Sequence, residues 1–201
     1  MIVSNFKFLF SSLRQEGLTE TLHRLAFRFL RINTFYIYAL DLHKDLPNIA
    51  TPEDVKLKEL SFDELEKLRG DGSGLPSQFL RDKIGHEDRC FVSLIDGELA
   101  FIVWTASKES SGLVKLTPSS VELNHAYCIP KHRGKRLFTL TLSFLSRKLQ
   151  KENYDKIWSV PHEGNTPSIR THHKCGFKYV GINVNRLGFI TWKSKINHPK
   201  Q

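Results

Sequence analysis

Between two apolar runs lies Pro130-Lys131-His132-Arg133-Gly134-Lys135-Arg136. The residues before it, Glu122 to Ile129, read as a strand, and those from Leu137 onward read as the start of an amphipathic helix. A loop that feeds a helix N-terminus points backbone N–H groups and the positive end of the helix dipole at one place. Arg133, Lys135 and Arg136 add full positive charges there. The chemistry this suits is the binding of an anion such as a phosphate or pyrophosphate. A plain strand–turn–helix connection with a solvated basic face fits the same residues.

The basic charge of the chain is concentrated behind this loop. The 201-residue chain has a formal net charge of +9. Residues 130–201 hold 15 Lys and Arg against 3 Asp and Glu, a net of +12, and residues 1–129 hold 15 against 18, a net of −3. Nucleic acid, an anionic membrane surface and a phosphorylated ligand all answer to such a field. The length fits one domain, or one domain with an appendage, and 40% hydrophobic with 25% charged residues is the composition of a soluble globular protein. Cys90, Cys128 and Cys175 are odd in number, far apart and match no zinc spacing. They are expected to be packed, reduced thiols in a cytoplasmic protein without a metal. No apolar run reaches the ~20 residues that span a bilayer. Met1 to Leu13 is interrupted by Asn5, Lys7, Ser11 and Ser12, which predicts structure rather than a signal peptide.

The elements that must position the loop follow from periodicity. Residues 1–45 read as helical, with Phe6, Leu9, Phe10 and Leu13 on one stripe, then Leu22, Leu25, Ala26, Phe29 and Leu30 opposite Arg24, Arg28 and Arg31. This stretch suits a helical appendage docked on the domain or on a second subunit, as in a homodimer, or a basic amphipathic helix on a membrane surface. Asn33 to Asp45 is aromatic and polar and leads to a linker, so the predicted division is an extension over 1–50 and a domain over 51–201. A strand is expected at Asp54–Leu60, then a helix opened by the capping box Ser61-Phe62-Asp63-Glu64, then a short helix through Lys83. Phe91–Ile95 and Leu99–Trp104 flank Asp96-Gly97 as a hairpin. After the strand Ser120–Ile129, the helix buries Leu137, Leu140, Thr141, Phe144, Leu145 and Leu149. A strand at Tyr154–Val160, a helix at Asn165–Lys174 and strands at Phe177–Gly181 and Arg186–Trp192 complete the order. It predicts a mixed sheet covered by helices, an α/β (α+β) class.

Two segments in this order carry a family resemblance. Tyr127-Cys128-Ile129-Pro130-Lys131-His132-Arg133-Gly134-Lys135 resembles the strand end and Pro-x-x-Arg-Gly-Lys loop of the GNAT superfamily of acetyl-CoA-dependent N-acyltransferases. Asn165-Thr166-Pro167-Ser168-Ile169-Arg170 through Lys174-Cys175-Gly176-Phe177 resembles that superfamily's second signature helix. Together they cover about residues 54–192. The resemblance implies a mostly antiparallel, twisted sheet with a splayed central strand pair. It implies that pantetheine pairs with the edge at Tyr127, Cys128 and Ile129, and that the pyrophosphate sits on the amides of Arg133, Gly134, Lys135, Arg136, Leu137 and Phe138, with Asn165 and Ser168 nearby. In the family's loop, Arg/Gln-x-x-Gly-x-Gly/Ala, the two glycine places are held here by Arg136 and Phe138. Phe138 is expected to narrow the approach. His172 occupies the place of the family's acid tyrosine. For the base, Glu122 occupies the place of a family glutamate, with His125 as runner-up. Strand alternation sends Glu122 and Asn124 to one face and His125 to the other unless a bulge intervenes.

The reaction so implied is direct transfer of an acetyl or other short acyl group from acetyl-CoA to a primary amine. A backbone N–H near Cys128 would stabilise the oxyanion. Covalent attack by Cys128 is the lesser alternative, since its neighbours mark an apolar packing position. An amino sugar or other small amine is the first expectation for the acceptor, and a protein amine the second. Asp71, Asp82, Glu87 and Asp88, in the loops on the acceptor side, would suit a cationic acceptor. The rival readings are a non-catalytic GNAT-like module that binds CoA or a partner protein, and a nucleic-acid-binding domain. The latter is disfavoured because no basic strand carries interleaved aromatic residues.

Overall fold

The computed structural model describes residues 32–46, 49–70, 75–83, 87–107, 113–187 and 190–195. The apolar stripes expected in residues 1–31, and Asp71, lie outside the described residues. The apolar runs of the middle of the chain become the strands of one sheet. In chain order the elements are β1 (Asn33–Asp41), β2 (Val55–Leu60), α1 (Phe62–Arg69), a 3₁₀ segment (Ser77–Lys83), β3 (Arg89–Ile95), β4 (Glu98–Ala106) and β5 (Ser120–Cys128). A 3₁₀ turn (Pro130–His132), α2 (Leu137–Lys151), β6 (Lys156–Ser159), α3 (Thr166–Lys174), β7 (Lys178–Leu187) and β8 (Ile190–Lys195) follow. The sheet runs β2-β3-β4-β5-β6-β1-β7-β8, and every pairing is antiparallel except that of β5 with β6.

Two local signals act as read from the sequence. The Ser61 hydroxyl accepts from the Glu64 N–H at 3.3 Å and the Glu64 carboxylate accepts from the Ser61 N–H at 2.8 Å, which closes the capping box of α1. α2 buries Leu137, Leu140, Leu145 and Leu149 in the main core with Phe91, Phe101, Val121 and Leu123 from the sheet. Each such leucine stabilises the fold by about 2 kcal/mol. On the opposite side, Leu65 of α1 and Phe79 of the first 3₁₀ segment form a second core with Trp104, Ile102 and Val92.

Two expectations are corrected. Asn33–Asp41 is not part of a helical extension. It is β1, an interior strand between β6 and β7, and Tyr38 within it is 1% exposed. The sheet therefore begins well before residue 51. The final pair of strands is also displaced. Gly181, Asn183 and Asn185 resemble a break between strands, but β7 runs through all three to Leu187, which faces Ile190 of β8. The register between β1 and β7 shifts between Tyr36 and Tyr38, and Gly181 takes φ +74° there. The glycine thus absorbs an irregularity inside a strand instead of ending it.

Candidate active site

β5 and β6 start together and then part. Their parallel register runs from Ser120 opposite Lys156 to Leu123 opposite Ser159, where β6 ends. β5 continues to Cys128, and among the described strands it is paired from there on only with β4. A cleft of about 750 Å³ opens at this point, bounded by β5 from Leu123 to Cys128, the loop that includes Arg133 and Gly134, the N-terminus of α2, the segment after β6 and one side of α3. Ile129 donates its N–H to Ala100 O on β4 at 3.0 Å. Strand alternation then turns the Cys128 N–H away from β4, toward the opened edge.

The basic loop presents its amides without competition. The 3₁₀ turn uses the N–H groups of His132 and Arg133, bonded to Ile129 O and Pro130 O. Leu140 is the first residue of α2 to donate backward, to Arg136 O. Among the described residues, the N–H groups of Gly134 to Thr139 have no backbone partner, and no side chain caps the helix. Gly134 takes φ +85° and Arg136 takes φ +60°, in the left-handed region. Arg136 therefore adopts the backbone that a glycine would favour, at a cost of about 1 kcal/mol. The Phe138 side chain does not block the loop. It stacks on Phe101 with ring centroids 5.6 Å apart and meets His172 edge-on at 5.5 Å, so its bulk lies in the cleft wall. Arg133 folds back over the end of β5, with Nε 3.4 Å from Cys128 O and its guanidinium 5.9 Å from the centre of the Tyr127 ring.

The candidate acid and base residues fall in different settings. Glu122 is 1% exposed, enclosed between Ala106 on β4 and Trp158 on β6, and is absent from the cleft wall. His125 does line the cleft, because the alternation expected along β5 is broken. Ile102 faces Tyr127 and Trp104 faces Asn124, so Val103 alone spans His125 and Ala126, and His125 takes φ +49°. This bulge lets Asn124 and His125 border the same space. Across the cleft, His172 is 1% exposed. Its Nδ1–H donates to Ser168 O at 2.7 Å, and Nε2 accepts from the Ser159 hydroxyl at 2.8 Å. Burial lowers its pKa to about 4, against a smaller raising effect of the Ser168 carbonyl. A neutral, doubly bonded imidazole of this kind holds α3 to the end of β6 and is not charged to donate a proton near pH 7.

This fixes a sign for acid stability. The folded His172 binds a proton only near pH 4, whereas the unfolded one does so near 6.5. Its stabilisation is complete above the unfolded value and is lost as pH falls toward 4, by about 3 kcal/mol in all. Denaturant midpoints for the wild type and His172→Gln should diverge less at pH 4 than at pH 7.

The remaining sequence candidates are placed as follows. Tyr127, Cys128, Arg133, Gly134 and Arg136 border the cleft with Leu137, Phe138, Asn165 and Ser168, while Ile129 packs into the second core and Lys135 is exposed. The Asn165 side chain accepts from the Ser168 N–H at 3.3 Å and caps α3. Burial raises the Cys128 thiol pKa, which weakens it as a nucleophile. Of the acidic residues expected to face an acceptor, Asp82 and Glu87 have buried, paired side chains and Asp88 is exposed. Asp82 pairs with Arg69, Glu87 with Arg81 and His125, and Asp88 accepts from Ser107. Sequence reasoning missed Ser159, Pro161 and His162, which also line the cleft and lie in a segment whose only local signal is its place between a strand and a helix.

Among the described residues there is no group of three or more His, Cys, Asp or Glu able to hold a metal, and no helix long and apolar enough to cross a membrane. No curated protein matches the sequence. Solved structures with a similar fold include a GCN5-related N-acetyltransferase from Kribbella flavida, at 13% identity and TM-score 0.53, covering 85% of this chain and 63% of that one. Another is a GNAT-family protein from Novosphingobium aromaticivorans, at 15% identity and TM-score 0.52, covering 75% and 61%. A GNAT-family acetyltransferase from Colwellia psychrerythraea matches at 14% identity and TM-score 0.52, covering 75% and 53%. The chain thus spans somewhat more than half the length of these proteins, and at such identities the likeness concerns the fold. The sequence model of the acetyltransferase (GNAT) family matches residues 56–177, more than half of the chain and the whole of the splayed strand, basic loop and α3. With that match and the opened edge of β5, this chain belongs to the acetyltransferase (GNAT) family.

Proposed function

We propose that the protein transfers an acetyl group from acetyl-CoA to the primary amine of a small acceptor, by direct attack in the cleft between β5 and β6. The observation that carries this reading is the run of unpartnered amides from Gly134 to Thr139 beside the unpaired edge of β5. The amides with Arg133 and Arg136 would hold the diphosphate, and Tyr127 and Cys128 would border the pantetheine arm. Acetyl-CoA brings the acyl group as a thioester: the amine nitrogen forms the new C–N bond, the C–S bond breaks, and CoA leaves as the thiolate, which takes up the second proton that the acylated nitrogen loses and departs as the thiol. The Cys128 N–H, free of β4, is placed to donate to the thioester carbonyl oxygen as charge grows on it. His125 takes the proton that an ammonium group must lose before it can attack. It is preferred to Glu122 because it borders the cleft and Glu122 does not. The buried pairing of Asp82 and Glu87 takes two carboxylates out of reach of a cationic protein segment, which favours a small amine such as an amino sugar over a protein amine.

Calorimetric titration with acetyl-CoA tests the reading. The wild type should bind, and Arg133→Glu with Arg136→Glu should weaken binding by at least about a hundredfold, since each charge-assisted contact is worth about 1.5–3 kcal/mol. No heat of binding at millimolar acetyl-CoA would end the proposal.

A further inference from the structure

His125 is gripped from behind. Its Nε2 lies 3.1 Å from a carboxylate oxygen of Glu87, whose side chain is 1% exposed. The same oxygen accepts from Arg81 at 3.1 Å. Glu87 is held at the start of β3 because Asp88, next in the chain, donates its N–H to Thr105 O on β4 at 2.9 Å. Arg81 is held by the 3₁₀ segment, which is pinned by the Trp104 indole N–H donating to Gln78 O at 2.7 Å. These contacts hold one carboxylate oxygen behind the imidazole, while Glu87 Oε2 and Arg81 Nε are buried without a hydrogen-bond partner among the described residues; the cleft side of the ring remains open, with the His125 side chain 40% exposed.

We propose that Glu87, fixed by Arg81, is a positioning residue that sets the tautomer and orientation of His125, a role that rests on the assignment of His125 as the base. A carboxylate accepts only, so with one 3.1 Å from Nε2 the neutral ring is favoured with its proton on that nitrogen, and the Nδ1 lone pair is left to receive a proton from an acceptor amine. When Nδ1 takes that proton the imidazole becomes cationic, and the carboxylate behind it stabilises the new charge. Arg81 opposes this by placing a positive charge on the far side of Glu87. The balance is visible in the resting state: burial and Arg81 lower the His125 pKa, and Glu87 raises it. The other cationic or titratable groups around the cleft, His132 and Arg133 from the basic loop, His162 after β6 and His172 on α3, are not among the causes of this shift. The left-handed backbone of His125 serves the same end, since a regular strand would turn the ring away from one of its two tasks.

Nitrogen-15 NMR of the histidine rings reads this arrangement without an acceptor substrate. His125 is assigned by the signals lost in His125→Asn. The expected neutral form in the wild type carries its proton on Nε2. Glu87→Gln should lower the His125 pKa by about one unit or more, because an opposite charge at this distance is lost, and should scramble the tautomer, since an amide can donate as well as accept. An Nδ1–H form in the wild type overturns the proposal even if Glu87→Gln fails to fold. An unchanged pKa and tautomer in a folded Glu87→Gln overturn it equally. Acetyl-CoA calorimetry on the same samples separates this outcome from the acetyltransferase reading, because loss of binding in the wild type would refute the latter and leave the ring titration to decide the former.

Discussion

His125→Ala should lower the turnover of acetyl-CoA with an amine acceptor by roughly 10²- to 10⁴-fold, the usual worth of a positioned general base. The affinity for acetyl-CoA should change little, since the amides from Gly134 to Thr139 are untouched. A stopped assay of free thiol release, paired with calorimetry, distinguishes the two effects. Glu122→Gln is the informative comparison. Glu122 is enclosed between paired strands, so its neutral isostere should retain turnover to within about tenfold. A larger loss there with a mild effect at His125 would reverse the assignment of the base. The pH dependence has a definite sign. A base works in its deprotonated form, and the His125 pKa is lowered, chiefly by burial. Turnover should therefore hold from neutral pH down to below the ordinary histidine value near 6.5, then fall as the ring is protonated.

The order of strands and helices from β2 onward was legible because its signals are local. The Ser61 cap, the Asp96-Gly97 turn, the Leu137-to-Leu149 stripe and Gly176 after α3 each act within a few residues. The basic loop was legible for the same reason. β1 was not. Thr34, Phe35, Tyr36, Ile37 and Tyr38 form a run of strand-favouring residues, yet they follow a long helical period, and an interior strand lacks the alternation that marks a half-buried one. The bulge at His125 could not be read either. It exists only because Val103 on another strand faces two residues at once, and no neighbour of His125 in sequence encodes that. Glu87 was visible only as a charge in a loop, and Arg81 only as one in a short helix. Their partner is brought to them by β4 and β5, so charge alone did not reveal that Glu87 is buried against Arg81 and His125.

Arg69→Met should destabilise the protein by about 3–5 kcal/mol, measured by urea denaturation. The Arg69 side chain is fully buried and donates through Nη1 and Nη2 to both carboxylate oxygens of Asp82 at 2.6 Å, and through Nη1 to Phe79 O at 2.6 Å. Methionine keeps the aliphatic bulk but strands a carboxylate that is 7% exposed. The double variant Arg69→Met with Asp82→Leu should recover most of that loss, because an apolar pair of similar volume is often as stable as a buried ion pair. Recovery of stability without recovery of turnover would show that the 3₁₀ segment carrying Arg81 needs the ion pair for its placement, and so link this distant clamp to His125. Failure of the double variant to regain stability would mean that the Phe79 carbonyl dominates the cost.

The interior place of β1 also governs how the protein is made. Tyr38 must find Ser159, and Asn33 must find Arg186, across most of the chain. A polypeptide leaving the ribosome from its N-terminus carries Phe35 to Tyr38 without a neighbouring strand until β6 and then β7 have been synthesised. Contacts so distant in sequence close slowly. Until they close, that aromatic run is open to other chains, so the first of the described strands to be translated waits longest for its partners.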